Sequence, residues 1–168
     1  SYGRSGFAMQ FMLDTKLSDM DRFPLKTSDL IVMDIDPTVA PEKLVWAQSP
    51  TLEWDSSIPN VAMTGDRFYR PMQLIGDMIP YTGSVMSIDP SGRGKDETGV
   101  VISSATKSGY ICVHEMLGLE GGYSDEALHK IAKLADQYNV KLIRVEANFG
   151  DGMFTSLMTP VIKRVCSE

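Results

Sequence analysis

The alternation of apolar and polar residues beyond position 82 predicts three consecutive β-strands. GSVMSID (83–89), TGVVISSAT (98–106) and GYICVHEMLGL (109–119) are rich in β-forming residues, and turns that contain glycine separate them. Short turns of this kind join antiparallel neighbours. We therefore predict a three-stranded antiparallel meander.

Helical spacing follows the meander. Ser124 is a candidate N-cap, and Asp125 and Glu126 stand in the first turn, where the helix dipole favours carboxylates. Apolar residues then recur at helical intervals, at Leu128, Ile131, Ala132, Ala135 and Tyr138. Asn139 is of a residue type that ends helices in the left-handed conformation. The pattern predicts one amphipathic helix that ends near Asn139.

Two further elements complete this pattern. VKLIRVE (140–146) predicts a fourth strand, and residues 153–165 predict a second helix with a kink at Pro160. A strand that is reached through a helical crossover can lie parallel to the first strand of the sheet. We therefore predict an α/β fold, in which a mixed sheet of three antiparallel strands and a parallel fourth strand is flanked by helices.

Residues 1–82 carry a weaker pattern. Residues 7–13 predict a short apolar helix, and SDLIVMDID (28–36) and EKLVWAQ (42–48) predict short strands. Prolines interrupt any longer element, at Pro24, Pro37, Pro41, Pro50, Pro59, Pro71 and Pro80. We therefore predict an irregular connecting segment over residues 1–82 and a separate domain over residues 83–168.

The charge and the cysteine content narrow the classes of function. A formal net charge of −6 over 168 residues argues against a protein that binds nucleic acid by bulk positive charge. Cys112 and Cys166 are too few for a disulfide framework or a zinc site, which indicates a reducing compartment. No apolar run approaches the ~20 residues of a membrane span. The opening residues carry no secretion signal and no initiator Met, so we expect a fragment of a longer protein.

Two carboxylates stand where the predicted parallel strands end. Asp89 closes the first strand, and Glu146 closes the fourth. The carboxyl ends of parallel strands meet at one edge of a sheet, where such folds bind ligands. Neighbouring carboxylates repel each other unless a cation or an arginine lies between them, and oxygen ligands suit Mg²⁺ or Mn²⁺. We therefore predict a metal site at these two acids, although Asp89 also fits an ordinary turn aspartate before Pro90.

Three more acids lie near these strand ends in the sequence. Asp96, Glu97 and Asp151 are candidates for further ligands or for groups that support the ligands. Each also fits an exposed turn, and Asp151 fits a helix N-cap better than a ligand because Gly152 and the predicted helix follow it. These alternatives stay open from the sequence.

The glycines and basic residues between Asp89 and the second strand allow two interpretations. A nucleotide phosphate loop requires G-x-x-x-x-G-K-[ST] between a strand and a helix. Here Asp96 follows Lys95 and a strand comes next, so residues 92–95 fit a hairpin turn better. In that turn, Arg93 and Lys95 could contact DNA phosphates.

Several stretches together resemble the large subunit of phage terminases, the DNA-packaging motor proteins, and most of all the DNA maturase B type of short-tailed phages. SIDPSGRGKDETGVVI (87–102) and LIRVEANFGDGMF (142–154) are similar to the acidic motifs of that family's nuclease domain. GRSGFAMQFMLDTKLSD (3–19) and FPLKTSDLIVMD (23–34) are similar to the segment that joins its ATPase domain to its nuclease domain.

The resemblance implies an RNase H-like fold and an endonuclease that cuts concatemeric viral double-stranded DNA with two Mg²⁺ or Mn²⁺ ions. Asp89 and Glu146 match the family's first two metal-binding acids. The family's third acid is an aspartate nearer the C-terminus, and no residue after Glu146 matches it. We therefore expect the third ligand outside this chain and a nuclease domain that is incomplete at its C-terminal end.

The resemblance also implies partners and a location. The family's motor assembles as an oligomer with the terminase small subunit and the portal protein in the host cytoplasm, without a membrane. Its ATPase motifs are absent from these 168 residues, so we expect no ATP hydrolysis. Three functions remain open: a DNA endonuclease domain, a docking module of the motor that is not catalytic, and a nucleotide-binding protein that uses residues 92–95.

Overall fold

The computed structural model describes residues 29–54, 67–91, 96–146 and 152–166. Contacts divide the chain into two compact units, one of residues 1–33 and 44–74 and one of residues 34–43 and 75–168. The boundary at residue 82 stays a prediction, and the helix predicted over residues 7–13 lies outside the described residues.

Two strands precede the main sheet. β1 (Val39–Val45) and β2 (Gln73–Pro80) form a two-stranded sheet, and a short 3₁₀ turn spans Pro50–Leu52. The strand predicted over residues 42–48 is therefore found, but it begins and ends three residues earlier than expected.

The strand predicted over residues 28–36 is wrong for the part that the structure describes. Ile31 forms only an isolated bridge with Tyr69, and residues 29–36 contain no strand. The apolar run of residues 30–33 is therefore not part of a strand ladder.

A turn held by the Asp36 side chain follows this segment. The Asp36 carboxylate accepts hydrogen bonds from the Thr38 N–H at 2.7 Å, the Thr38 hydroxyl at 2.6 Å and the Val39 N–H at 3.2 Å. These bonds, with the Thr38 hydroxyl first, lower the pKa of Asp36. An aspartate that binds backbone amides in this way competes with a strand ladder.

The main sheet confirms the predicted fold class. β3 (Gly83–Asp89), β4 (Thr98–Ala105), β5 (Ile111–Leu119) and β6 (Leu142–Val145) lie side by side in the order β5-β4-β3-β6. β4 pairs antiparallel with both β3 and β5, and β6 pairs parallel with β3. The meander and the parallel fourth strand are therefore both present.

The first helix, α1 (Asp125–Gln137), begins after the predicted N-cap Ser124 and ends at the C-cap Tyr138, just before Asn139. The Ser124 hydroxyl oxygen accepts a hydrogen bond from the Ala127 N–H at 3.3 Å. Asn139 has φ 48°, in the left-handed region that asparagine tolerates, and its N–H donates to the Asp136 carbonyl. The caps thus fix the length of the crossover between β5 and β6.

The second helix, α2 (Met153–Val165), continues past Pro160, which lies inside it on an exposed face. A proline removes one backbone hydrogen bond from a helix but does not end it when packing holds both halves. Phe154 and Val161, on either side of Pro160, are both buried. No helix in the described part of the chain is long and apolar enough to cross a membrane.

One face of the sheet and the two helices enclose the core. The buried side chains come from β3, β4, β5, α1 and α2, namely Met86, Ile88, Val100, Ile102, Leu119, Leu128, Ile131, Ala132, Ala135, Phe154, Met158 and Val161. Alternation along each strand places every second residue on this face. The residues between them lie on the opposite face, which we call the open face.

A bulge in β5 places His114 between two tyrosine rings. Ile102 pairs with Glu115 and the next residue pairs with Val113, so His114 is the extra residue. The centroid of its ring lies 5.1 Å from that of Tyr81, in an edge-on contact, and 5.6 Å from that of Tyr138, in a stacked contact. Its Nε2 is buried without a hydrogen-bond partner in the described structure. Burial lowers the pKa of His114, although the Asp36 carboxylate opposes part of this effect.

The two faces of the sheet predict opposite sensitivity to truncation. Ile102 is 0% exposed, whereas Ile111, also in the meander, is 67% exposed. We expect Ile102→Ala to lower the free energy of unfolding by about 2–5 kcal/mol because it opens a cavity. Ile111→Ala should lower it by less than about 1 kcal/mol. Urea denaturation of both variants checks this, and equal losses would contradict the assignment of the faces.

The buried imidazole predicts a stability that depends on pH. The pKa of His114 is lower in the folded state than the ~6.5 of an unfolded histidine. The unfolded chain therefore binds more protons as the pH falls below about 6.5, and stability falls down to the folded pKa. We expect His114→Phe, which keeps an aromatic ring between the tyrosines, to lose less melting temperature between pH 7.5 and 5 than the original protein. Equal losses would contradict this role.

Candidate metal centre

The parallel pairing of β3 and β6 brings the two predicted acids to adjacent positions. Ile88 pairs with Val145, the last residue of β6. The N–H of Glu146 donates to the Ile88 carbonyl at 2.9 Å, so the parallel pattern continues one residue past β6. Asp89 is the last residue of β3, and it therefore lies beside Glu146 at the carboxyl ends of both strands.

Both acids lie on the open face. Ile88 is buried in the core and Val145 packs against it. Their neighbours Asp89 and Glu146 are directed to the other side of the sheet, and both are exposed. An ion that arrives from solvent can therefore reach both carboxylates without any movement of the core.

Two glycines keep the sheet surface low beside Asp89. Asp89 pairs with Gly99 of β4, and Gly99 pairs with Gly118 of β5. A Cβ built on Gly99 would lie 3.8 Å from the Asp89 Cβ, whereas a Cβ built on Gly118 would overlap the Glu97 carboxylate. Gly99 thus forms a floor, with Asp89 on one side and the Glu97 side chain on the other.

A buried pair of hydroxyls holds the chain where it leaves and re-enters this floor. The Ser91 N–H donates to the Thr98 Oγ1 at 3.1 Å, and the two hydroxyl oxygens lie 3.0 Å apart. Both residues are buried. Arg93 and Lys95, predicted to contact DNA, lie outside the described residues. The connection leads into the antiparallel strand β4 and not into a helix, so the strand-to-helix setting of a nucleotide phosphate loop is not present.

The remaining predicted ligands are not brought together. Asp96 is exposed, and Asp151 lies outside the described residues. No group of three His, Cys, Asp or Glu residues in the described ranges is arranged to hold a metal ion. The structure therefore supplies a pair of acids and not a complete three-ligand set.

The donor chemistry of this pair fits a hard divalent cation. Mg²⁺ prefers oxygen ligands, keeps several waters and often binds through one or two carboxylates. Asp89 and Glu146 offer two exposed carboxylates, and the glycine floor leaves room for coordinated water on one side. A zinc site would instead require nitrogen or sulfur ligands, and neither Cys112 nor Cys166 lies at this edge of the sheet.

The sequence analysis does not predict the positions of two residues of this surface. Arg144 pairs with Ser87 in the row directly behind the acids, and both are exposed on the open face. The residue type and its place two positions before Glu146 were a usable signal. The sequence places Glu97 near Asp89 only along the chain. Its position over Gly118 depends on the pairing of β4 with β5, which local patterns do not reveal.

Two cavities lie elsewhere on the second unit. Cavities of about 280 and 250 Å³ share Thr82, Gly83 and Ser84 in their linings, at the opposite end of β3 from Asp89. Neither lining contains Asp89 or Glu146, and both acids are exposed, so they are accessible to an extended polymeric ligand.

Comparisons with known proteins agree with this fold. Residues 88–167 match the family model for the Ribonuclease H-like domain of the bacteriophage T7 terminase. The chain is also 39% identical over 161 residues to the terminase large subunit of Enterobacteria phage T3. That alignment covers 96% of this chain, which spans 27% of the length of the T3 protein.

Proposed function

We propose a nuclease function for this chain, because residues 88–167 belong to the Ribonuclease H-like domain family of T7-type phage terminases. The chain is part of a terminase large subunit that cuts concatemeric double-stranded viral DNA during packaging. The paired carboxylates of Asp89 and Glu146 bind Mg²⁺ or Mn²⁺ for this reaction. The observation that carries the proposal is the β3–β6 register, which supports adjacent acids on an accessible sheet edge.

The reaction is hydrolysis of a phosphodiester bond. Water attacks phosphorus, one phosphorus–oxygen bond to the sugar breaks, and the leaving oxygen takes a proton. Two bound Mg²⁺ or Mn²⁺ ions would supply an activated hydroxide and neutralise charge on the leaving oxygen. Asp89 and Glu146, on neighbouring strands, hold negative charge at one place for the cations. The bare backbone at Gly99 leaves space for the sugar–phosphate chain.

Other parts of the proposal concern residues and proteins beyond the described site. Arg93 and Lys95 contact DNA phosphates next to the cut, and a third acid completes the ligand set, with Asp96 and Asp151 as weaker candidates. The motor partners are the terminase small subunit and the portal protein, in the cytoplasm of the host. The relation to the T3 terminase large subunit supports these partners.

Removal of either charge tests the catalytic role. In a terminase large subunit that carries this sequence, we expect Asp89→Asn or Glu146→Gln to lower Mg²⁺- or Mn²⁺-dependent DNA cleavage by about 100-fold or more. Both side chains are exposed, so the melting temperature should stay nearly unchanged. Cleavage is measured on linear and concatemeric duplex DNA.

Asp136→Asn provides the matched control. Asp136 is an exposed acid on α1, on the other side of the sheet, and its replacement makes the same change in charge. Its cleavage rate should equal that of the original protein. Undiminished cleavage in both site variants would exclude the proposed active site.

A docking module of the packaging motor is the second candidate function. It is favoured by the lack of a three-ligand group in the described part of the chain. In this function the sheet and helices provide a rigid platform, and the acids bind no ion.

Calorimetric titration with Mn²⁺ near neutral pH separates the two functions. We expect the folded chain to bind Mn²⁺, and Asp89→Asn or Glu146→Gln to abolish this binding while Asp136→Asn retains it. A bound ion should also raise the melting temperature of the original chain. A folded chain that takes up no Mn²⁺ would favour the docking module.

A further inference from the structure

We propose that Arg144 binds a phosphate of the DNA strand that is cut, and so positions the strand over β3 and β6. This inference rests on the proposed nuclease function and adds a residue to it. Arg144 is exposed, and it pairs with the equally exposed Ser87.

The position of Arg144 relative to the acids is fixed by strand geometry. Two residues along a strand correspond to ~6.6 Å and return to the same face. Arg144 therefore lies on the open face, one row behind Glu146, while Ile143 and Val145 pack against the core. A long arginine side chain can bridge that spacing to reach a phosphate held beside the acids.

The charges of the open face give the bound strand a preferred side. Alternation assigns to this face the positions 83, 85, 87 and 89 of β3, 99, 101, 103 and 105 of β4, 111, 113, 116 and 118 of β5, and 142 and 144 of β6. Among these positions of the described strands, Arg144 is the one cation. On the far side of the glycine floor, the Glu97 carboxylate repels phosphate.

Among the described residues, the open-face positions of β5 carry no side chain that could bind a phosphate. Val113 and Met116 are exposed there and have no polar side-chain atoms suited to an anion. On the β3–β6 side, the guanidinium can donate two parallel hydrogen bonds to phosphate, and the Ser87 hydroxyl can donate a third. Attraction on one side and repulsion on the other place the DNA backbone along Arg144 and Ser87.

An alternative role for Arg144 makes a different prediction. The guanidinium could instead offset the mutual repulsion of Asp89 and Glu146. In that case its removal would strengthen Mn²⁺ binding, because the ion would no longer compete with a neighbouring positive charge. In that case the removal of the guanidinium would leave the affinity for DNA in the absence of metal unchanged.

Arg144→Gln, Arg144→Lys and Lys133→Gln in the terminase large subunit test the proposal. Lys133 is an exposed cation on α1, across the sheet, and it matches the change in charge. Affinity for a short duplex of defined sequence is measured in EDTA across a range of salt concentrations. KM and kcat for cleavage, and Mn²⁺ affinity, are measured with the same proteins.

We expect Arg144→Gln to weaken DNA binding about 10-fold and to lower the slope of log affinity against log salt by about one. KM for DNA should rise, and Mn²⁺ affinity should stay unchanged. Arg144→Lys should keep the salt slope and lose part of the affinity, because lysine lacks the paired donors. Lys133→Gln should match the original protein.

Three results would overturn the inference: an unchanged salt slope in Arg144→Gln, tighter Mn²⁺ binding with unchanged DNA affinity, or the same losses in Lys133→Gln. If Arg144→Gln does not fold, the DNA affinity of Arg144→Lys decides the question. An affinity equal to that of the original protein would overturn the proposal. Failure of the nuclease function is a separate outcome, since that function is tested by cleavage in Asp89→Asn whereas the salt slope is measured without metal.

Discussion

The parallel pairing of β3 with β6 is the constraint on which the acid pair depends. Its register is set before β6 begins, where the Ser84 hydroxyl donates to the Asn139 carbonyl at 2.8 Å and the Lys141 N–H donates to the Ser84 carbonyl at 3.1 Å. Asn139, in the left-handed conformation, turns the chain from α1 into this pairing. A slip of one residue would move every side chain of β6 to the other face and bury Glu146 against the core. The turn after helix α1 thus determines where the Glu146 carboxylate lies, on the edge of the sheet opposite to β5.

The sheet separates stability from chemistry by its two faces. The helices cover one face, and the large buried side chains there account for most of the hydrophobic stabilisation of the second unit. The open face carries the acids, the glycine floor and Arg144, and the side chains of Asp89, Glu146 and Arg144 are exposed. Substitutions that alter binding therefore remove no core contact, while substitutions such as those at Ile102 disturb the fold without contact to the acids.

Local patterns were enough to predict most of the second unit. β3 matches its predicted residues, Ser124 is the N-cap of α1, Asn139 is the left-handed residue just beyond its C-cap, and the crossover rule predicts the parallel strand. Asp89 and Glu146 could be paired because both end strands. The strand predicted over residues 28–36 is wrong, and the turn in which the Asp36 carboxylate accepts from the Thr38 and Val39 amides is a contact that the apolar pattern does not encode. Arg144 and Glu97 gain their meaning only from cross-strand partners, which depend on register.

Exposure also sets the energetic cost of holding two like charges together. In bulk water two unit charges at 4 Å interact with only about 1 kcal/mol, and at a protein surface with about 4 kcal/mol. Asp89 and Glu146 lie in this range of environments, because both face solvent. A surface that holds two carboxylates on neighbouring strands attracts a cation, and Arg144, one row behind Glu146, can attract a phosphate.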